Sequence, residues 1–180
     1  MRKVVLYIAT SLDGYIASPD GSVEWLPTAG QDYGYAEFLA SADTTLLGRA
    51  TYEQVLDSGP WPYSGFTNYV FTNYVFSRKP PVLTPHASVQ FVSDEPVAFV
   101  QALRQQPGRT IWLIGGSTLA SPLLTAGLVD ELMLLVVPRV LGSGIPLWRH
   151  QAQPQTLQML RTQTWPDGTV LLHYQLPKKE

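Results

Sequence analysis

Short apolar runs alternate along the chain with segments that carry turn signals or helical spacing. The apolar runs predict strands, and these are Val4–Thr10, Tyr15–Ala17, Thr44–Leu47, Val89–Val92, Ile111–Ile114, Leu132–Val137, Thr156–Thr164 and Thr169–Gln175. The segments between them predict helices over Gln31–Ser41, Ala50–Leu56, Pro96–Gln105 and Ser117–Ala126. In the first of these, Tyr35, Phe38 and Leu39 recur at helical spacing.

The order of these elements predicts a fold class. Strands and helices alternate through the first two thirds of the chain, which indicates a largely parallel sheet with crossover helices. The last two strands flank Pro166-Asp167-Gly168, a turn signal that predicts an antiparallel hairpin at the edge of the sheet. We therefore expect one α/β domain over residues 1–180 with a mixed, mostly parallel sheet. Pro122 inside the fourth helix predicts a kink or a delayed start.

A pentapeptide, FTNYV, occurs twice in succession between Phe66 and Val75. A shift by five residues moves every side chain of a strand to the opposite face. The two copies therefore cannot present the same face, and we expect one of them in a loop or at an edge.

Composition narrows the classes of function. The chain has 12 basic and 14 acidic residues and no cysteine, which argues against a nucleic-acid surface and excludes disulfides, thiolate nucleophiles and cysteine-bound metals. No apolar stretch reaches the ~18 residues that indicate a membrane span. Asp13 interrupts the start before a signal-like apolar segment is complete, so we expect a cytoplasmic protein. Charged residues make up only 14%, well below the ~25% of an average domain, which favours self-association or a bound flat ligand.

Three places combine a strand end with groups that can bind phosphate. In the first, a strand ends at Gly48 and Arg49 and Thr51 open a helix, where free N–H groups suit an anion. In the second, Gly115-Gly116 separates an apolar strand from a helix. The third is Ser77-Arg78, since arginine binds phosphate in a bidentate manner. A capped helix, tight packing of helix on strand, and a solvated basic loop are the respective alternatives.

Together these stretches resemble the dihydrofolate reductase-like superfamily. More closely, they resemble the reductase domain of riboflavin biosynthesis, the C-terminal part of a bifunctional deaminase–reductase. The resemblance covers nearly the whole chain and rests on six stretches: SLDGYIA (Ser11–Ala17), DTTLLGRATYE (Asp43–Glu53), YVFSR (Tyr74–Arg78), IGGS (Ile114–Ser117), LVDELMLLVVP (Leu128–Pro138) and LGSGIPLW (Leu141–Trp148). The deaminase half needs a zinc site with cysteines, so the resemblance implies a free-standing reductase domain.

The resemblance implies a three-layer α/β/α fold with NADPH lying across the sheet. The residues that it places at the cofactor are Ala9, Gly14, Ile16, Gly48, Arg49, Thr51, Ser77, Arg78, Ile114, Gly115, Gly116, Ser117 and Thr118. Of these, Ser77 and Arg78 are expected around the adenosine 2′-phosphate. Ala9 and the loop over 12–16 are expected near the nicotinamide.

The substrate side is less strongly marked. In folate reductases an acidic residue on the first helix contacts the pterin, and the resemblance places Asp32 there, although Asp32 also suits a helix start. Asp13 is an alternative, but its Asp-Gly context favours a turn. Arg139 and Arg149 flank LGSGIP, and we expect this stretch at the substrate or at a dimer contact.

Two functions compete at this point. The first is an NADPH-dependent reductase that transfers hydride to a small heterocycle, of the 5-amino-6-(5-phosphoribosylamino)uracil type or a pteridine or dihydrofolate. Aromatic residues are expected either to wall such a site or to belong to the core: Trp25, Tyr33, Tyr35, Trp61 and Tyr63. The second is a nucleotide-binding or regulatory module on the same fold without turnover. A homodimer is expected in either case, since Leu132–Val137 is almost entirely apolar.

Overall fold

One eight-stranded sheet forms the centre of the protein. The computed structural model describes residues 1–27, 30–72, 86–149 and 154–177. Its strands are β1 (Val4–Ser11), β2 (Tyr15–Ala17), β3 (Ala42–Gly48), β4 (Thr67–Phe71), β5 (Val89–Val92), β6 (Thr110–Gly115), β7 (Glu131–Val137), β8 (Ile145–Pro146), β9 (Gln158–Thr164) and β10 (Val170–Gln175). Its helices are α1 (Tyr35–Ser41), α2 (Arg49–Asp57), α3 (Pro96–Arg104) and α4 (Ser117–Thr125).

The strand order of the large sheet is β5-β4-β3-β6-β1-β7-β10-β9. The first six strands of this order pair in parallel, and β10 pairs antiparallel with both β7 and β9. This confirms the predicted mixed sheet with its closing hairpin. β2 and β8 form a separate antiparallel ribbon; β8 was not predicted, because two residues leave no periodic pattern. Within the described residues, no helix is long and apolar enough to cross a bilayer.

The central strands are apolar because both faces of the sheet are covered. Leu113 on β6 lies beside Leu6 on β1 and Leu46 on β3, and all three side chains are fully buried. These leucines belong to the larger of the two main cores, which also contains residues of α3 and α4. Complete burial of each such side chain contributes about 1.5–3 kcal/mol.

The opposite face carries an aromatic cluster. Trp112 of β6 packs edge-on against Phe38, Tyr35 and Tyr63, with ring centroids 5.2–5.7 Å apart. Its indole N–H donates to the backbone carbonyl of Tyr7 at 3.0 Å. Because each ring is held by several edge-to-face contacts, the cluster fixes α1 and the Tyr63 loop on the sheet.

Helix α1 begins at Tyr35, later than the predicted Gln31. Tyr33 and Gly34 both have left-handed backbone angles, with φ of 51° and 78°, so the helix cannot extend back through them. The carboxylate of Asp32 accepts the backbone N–H of Ala36 at 2.9 Å, which is the contact of a helix-start residue. The delayed start of the fourth helix is not found, since α4 begins at Ser117, ahead of Pro122.

Only the first FTNYV copy can be placed. It forms β4, which lies between β3 and β5. Most of the second copy, together with Ser77 and Arg78, lies outside the described residues, so the expectation of a loop or edge position is not tested.

Buried Asn68 of β4 ties three parts of the fold together. Its side-chain oxygen accepts the hydroxyl of Thr45 on β3 at 2.7 Å. Its amide nitrogen donates to the carbonyls of Tyr63 at 2.9 Å and Phe66 at 2.8 Å. Since Asn68 is fully buried, its amide holds the backbone of the Tyr63 loop in addition to the aromatic contacts of the Tyr63 ring.

We predict that Asn68→Asp lowers the free energy of unfolding by about 2–4 kcal/mol, because a carboxylate oxygen would face two carbonyls with no proton to donate. Urea denaturation measures the loss. The matched control is Gln90→Glu at an exposed position of β5, which should change stability by under ~0.5 kcal/mol. Equal stability of Asn68→Asp and the wild type would contradict this role.

Candidate functional site

Two helices begin side by side at the carboxyl ends of β3 and β6. β3 ends at Gly48 and α2 follows directly, whereas β6 ends at Gly115 and α4 follows after Gly116. The strands are neighbours, and a Cβ on Gly48 would lie only 3.5 Å from the backbone nitrogen of Gly116. Neither helix has a side-chain cap, so no capping side chain covers either of the two helix starts.

This place lies in a cleft of about 1690 Å³. Sites for one small ligand usually measure about 300–1,000 Å³, so the cleft has room for two. The predicted cofactor residues that line it are Ala9, Ile16, Gly48, Arg49, Thr51, Ile114, Gly116, Ser117 and Thr118. The structure thus brings together residues from four separate stretches of the sequence.

Other predicted residues stand apart. Within the described part of the chain, Gly14, Gly115 and Asp32 are not among the residues that line the cleft. Gly14 follows β1 in a turn with φ of 85°. Asp32 caps α1, and the pterin contact expected for it remains a prediction. Ser77 and Arg78 lie outside the described residues.

The Gly115-Gly116 turn joins β6 to α4, and Gly116 lines the cleft. The peptide bond between the two glycines is cis, and Gly115 has φ of 119°, a conformation that favours glycine. Gly116 has φ of −81°, so its backbone would accept another residue. A Cβ there would lie 3.4 Å from the hydroxyl oxygen of Thr51 and 3.6 Å from Ile16. Any side chain at 116 therefore occupies the space between the two helix starts.

Two guanidinium groups lie at these helix starts. Arg49 is the first residue of α2, and its Nε lies 2.6 Å from the carboxylate of Glu53 one turn later. Arg149 reaches back from the loop after β8, and its Nε donates to the hydroxyl of Ser117 at 3.3 Å. Ser117 itself is buried. Positive charge and free N–H groups therefore coincide, which is the arrangement that binds phosphates.

Asp13 holds two of the motif stretches together. Its carboxylate accepts the Ser11 hydroxyl at 2.6 Å and the backbone N–H groups of Gly142 at 2.7 Å and Leu141 at 3.1 Å. These hydrogen bonds, that of Ser11 foremost, hold the pKa of Asp13 below its usual range. These contacts support a turn role for Asp13. They also connect the SLDGYIA stretch to the LGSGIPLW stretch by hydrogen bonds.

Of the five candidate aromatic residues, only Tyr63 lines the cleft among the described residues. Its ring packs edge-on against Trp61 and Trp112, with centroids 5.2 Å away in each case. Burial raises the pKa of Tyr63, and a hydrogen bond with the Tyr35 hydroxyl offsets part of that rise. Burial also raises the pKa of Tyr7, to about 12. These hydroxyls stay protonated at neutral pH.

The sequence did not predict one part of the wall of the cleft. It is formed by the loop from Asp20 to Leu26 and by Pro60 and Pro62 after α2. Gln54 of α2 holds the loop in place through a 2.7 Å hydrogen bond from its amide to the Gly21 carbonyl. The Pro-Asp-Gly turn marks the loop in the sequence, but nothing local indicates that it packs against a helix some 30 residues later.

Comparison with known proteins adds three findings. The chain is 40% identical to YwjB, an uncharacterized protein of Bacillus subtilis, over 96% of this chain and 97% of that one. Its structure matches that of a protein from Shewanella sp. PV-4 whose name assigns it to riboflavin biosynthesis, with a TM-score of 0.83, 26% identity and coverage of 99% and 100%. Enterococcus faecalis dihydrofolate reductase matches with a TM-score of 0.60 at 17% identity over 98% and 97% of the two chains, which shows a shared fold.

The fold is therefore the dihydrofolate reductase-like one that the sequence motifs implied. The sequence model of the RibD C-terminal domain, which is the reductase half of the bifunctional riboflavin enzyme, matches residues 2–171. That span includes β1 to β9 and both helix starts in the cleft, and it ends within β10. The chain belongs to the RibD C-terminal domain family.

Proposed function

We propose that this protein is an NADPH-dependent reductase that transfers hydride to a small flat heterocycle, of the riboflavin-pathway or pteridine type. The observation that carries the proposal is the convergence of two uncapped helix starts on one cleft large enough for two ligands. Family membership supports the reaction class.

The helix starts fit the pyrophosphate of a dinucleotide. Backbone N–H groups after Gly48 and Gly116 present donors, and the hydroxyls of Thr51 and Thr118 lie at the same cleft. Arg49, the first residue of α2, adds a planar cation for the adenosine 2′-phosphate of the same cofactor. The glycines leave the gap open, because a Cβ at Gly116 would lie within 3.4 Å of Thr51. Anions at helix starts are stabilised both by direct hydrogen bonds and by the helix dipole.

The remaining wall suits the reacting rings. NADPH supplies the hydride when it is bound. Ile8, Ala9 and Ile114 give the cleft an apolar floor, and Tyr63 adds an aromatic edge. Such a surface aligns two flat rings and excludes water, which is the main contribution a protein makes to hydride transfer. The E. faecalis dihydrofolate reductase of the same fold is described in complex with NADP(H).

We predict that NADPH binds at least ~10-fold more tightly than NADH. Each charge-assisted hydrogen bond to the 2′-phosphate adds roughly 1.5–3 kcal/mol, and Arg49 and Arg78 are the expected donors. Fluorescence titration with both cofactors measures the ratio. Arg49→Ala should weaken NADPH far more than NADH, whereas Arg139→Ala, outside the lining of the cleft, should change neither. Equal affinities for the two cofactors in the wild type would rule this preference out.

Turnover separates the reductase from a binding module. NADPH oxidation followed at 340 nm across aminopyrimidines and pteridines should show reduction of at least one of them. Cofactor binding with no turnover on the whole panel would favour the regulatory module instead.

We predict that Gly116→Ala abolishes NADPH binding with a stability loss of only ~1–3 kcal/mol, because the methyl group fills the space between the helix starts. Thermal melts with and without saturating NADPH measure this, since a ligand that still binds must raise Tm. The matched control is Gly65→Ala, where a Cβ meets nothing within 4 Å; NADPH should stabilise that variant as it does the wild type. The same NADPH-induced rise in Gly116→Ala would show that this turn is not the phosphate site.

A homodimer is also proposed, on grounds that differ from the sequence argument. The apolar run over Leu132–Val137 forms β7, which lies inside the sheet, so burial within one chain accounts for much of it. Across β7, β10 and β9, however, one face of the sheet carries a strip of apolar residues. Leu134, Leu172 and Tyr174 are half-buried, and Met159 is 46% exposed. The helix contacts of the sheet lie mainly on β3, β4 and β6, which leaves this strip for a second chain.

We predict that light scattering at micromolar concentration returns twice the 19.9 kDa of one chain. Met159→Glu should shift the mass toward the monomer, because it places a charge in the strip. Val140→Glu, at a 70% exposed apolar position elsewhere, should remain dimeric. A monomeric wild type would refute the dimer, and a dimeric Met159→Glu would place the contact on another surface.

A further inference from the structure

The cleft has opposite electrostatic character at its two ends. It follows α2 from Arg49 to Asp57, a length of about 12 Å. At the first end lie both helix starts, Arg49 and Arg149. At the second end lie the last turn of α2, the loop over 20–26 and Tyr63.

Carboxylates mark the second end. Asp20 and Glu24 come from the loop, and Asp57 is the last residue of α2. The loop is held beside this half of the helix by the bond from Gln54 to Gly21. All three carboxylates are exposed, and no described basic side chain forms an ion pair with any of them.

Asp57 is an acidic residue at the C-terminal end of α2, where a helix favours positive charge. The C-terminal end of a helix carries partial negative charge and favours lysine, arginine or histidine. The last turn of α2 contains no basic residue and ends on a carboxylate instead. The charge of Asp57 and the negative end of the α2 dipole therefore add up at the same end of the cleft.

The cations of the cleft are committed to the other end. Arg149 is bonded to Ser117 at the start of α4, and Arg49 lies at the start of α2 beside Glu53. Arg139 is not among the described lining residues. The expectation that the LGSGIP stretch between Arg139 and Arg149 lies at the substrate or at a dimer contact stays a prediction.

The proposed position of the cofactor leaves the second end for the substrate. If the pyrophosphate occupies the helix starts, the adenosine extends toward β4, which Ser77 and Arg78 follow in the sequence, and where Phe71 and Pro96 line the cleft. The space left for a second ligand is then bounded by Tyr63, Asp57 and the loop over 20–26.

Resting on the proposed function, we propose that the substrate of this protein is a neutral or cationic flat heterocycle that carries no phosphate or carboxylate group. A phosphate at the second end would meet three carboxylates and the negative end of α2 without a described cation to neutralise it. The proposal thus separates this chain from a reductase that acts on a phosphoribosyl pyrimidine, although the family is the same.

The test compares matched ligands on the protein saturated with NADP⁺. One pair is 5-amino-6-(5-phosphoribosylamino)uracil and its phosphate-free form, and the other is 6-carboxypterin and pterin. The uncharged member of each pair should bind at least ~5-fold more tightly, which is the effect of about one close like-charge contact in water. Raising the ionic strength should tighten binding of the anionic member and leave the uncharged one nearly unchanged, because salt screens repulsion.

Variants locate the effect. Glu24→Gln combined with Asp57→Asn should bring the two members of each pair toward equal affinity. As a control, Glu37→Gln removes one carboxylate charge from α1, outside the lining of the cleft. It should leave the preference for the uncharged ligands unchanged. Since these side chains are exposed, melting temperatures should stay close to that of the wild type.

The outcomes separate the two proposals. Failure of NADP⁺ to bind would refute the proposed function itself. Bound NADP⁺ with equal or tighter binding of the anionic members, or with no binding of either uncharged heterocycle, would overturn the substrate proposal and leave the cofactor assignment intact. An unchanged preference in the Glu24→Gln/Asp57→Asn variant would also overturn it, because the preference would then have another source.

Discussion

The parallel pairing of β3 with β6 determines where everything in the cleft lies. These strands are neighbours although some 60 residues separate them in the sequence, and each ends on a glycine that leads into a helix. Their register brings the two strand ends so close that a Cβ on Gly48 would lie 3.5 Å from the backbone nitrogen of Gly116. Two helix starts without a side-chain cap thus meet at one point. A shift of this register would separate them.

The rest of the fold keeps that pairing exact. Leu46 and Leu113 are buried side by side on one face, and Trp112 anchors the aromatic cluster on the other. Asn68 connects β3 to β4 and at the same time fixes the backbone of Tyr63. Tyr63, which lines the cleft, is therefore positioned by the same Asn68 side chain that connects β3 to β4. The shape of the site and the stability of the sheet thus depend on shared contacts.

Local patterns predicted what local forces determine. The apolar run of Ile111–Ile114 followed by two glycines predicted a strand end and a helix start, and the structure has both, because burial and glycine conformations act within a few residues. The start of α1 was placed too early, since the left-handed angles of Tyr33 and Gly34 depend on tertiary packing. Two hydrogen bonds join distant segments of the chain: one from Gln54 to Gly21 and one from Gly142 to Asp13. Sequence periodicity does not predict contacts of this kind. The part of the cleft wall that the Gly21 loop forms was missed for that reason.

The uncapped helix starts and the carboxylates of the cleft both affect where an anionic ligand can bind. A side-chain cap at Gly48 or Gly116 would stabilise its helix by only about 0.3 kcal/mol over glycine, and it would satisfy the donors that a phosphate needs. A basic residue in place of Asp57 would suit the helix dipole, yet it would make the second end of the cleft attractive to the same phosphates. On the proposed function, an elongated anionic ligand then has one favourable orientation, with its charge on the helix starts and its uncharged ring pointing away. The polarity of α2 would in that case distinguish the cofactor end of the cleft from the substrate end.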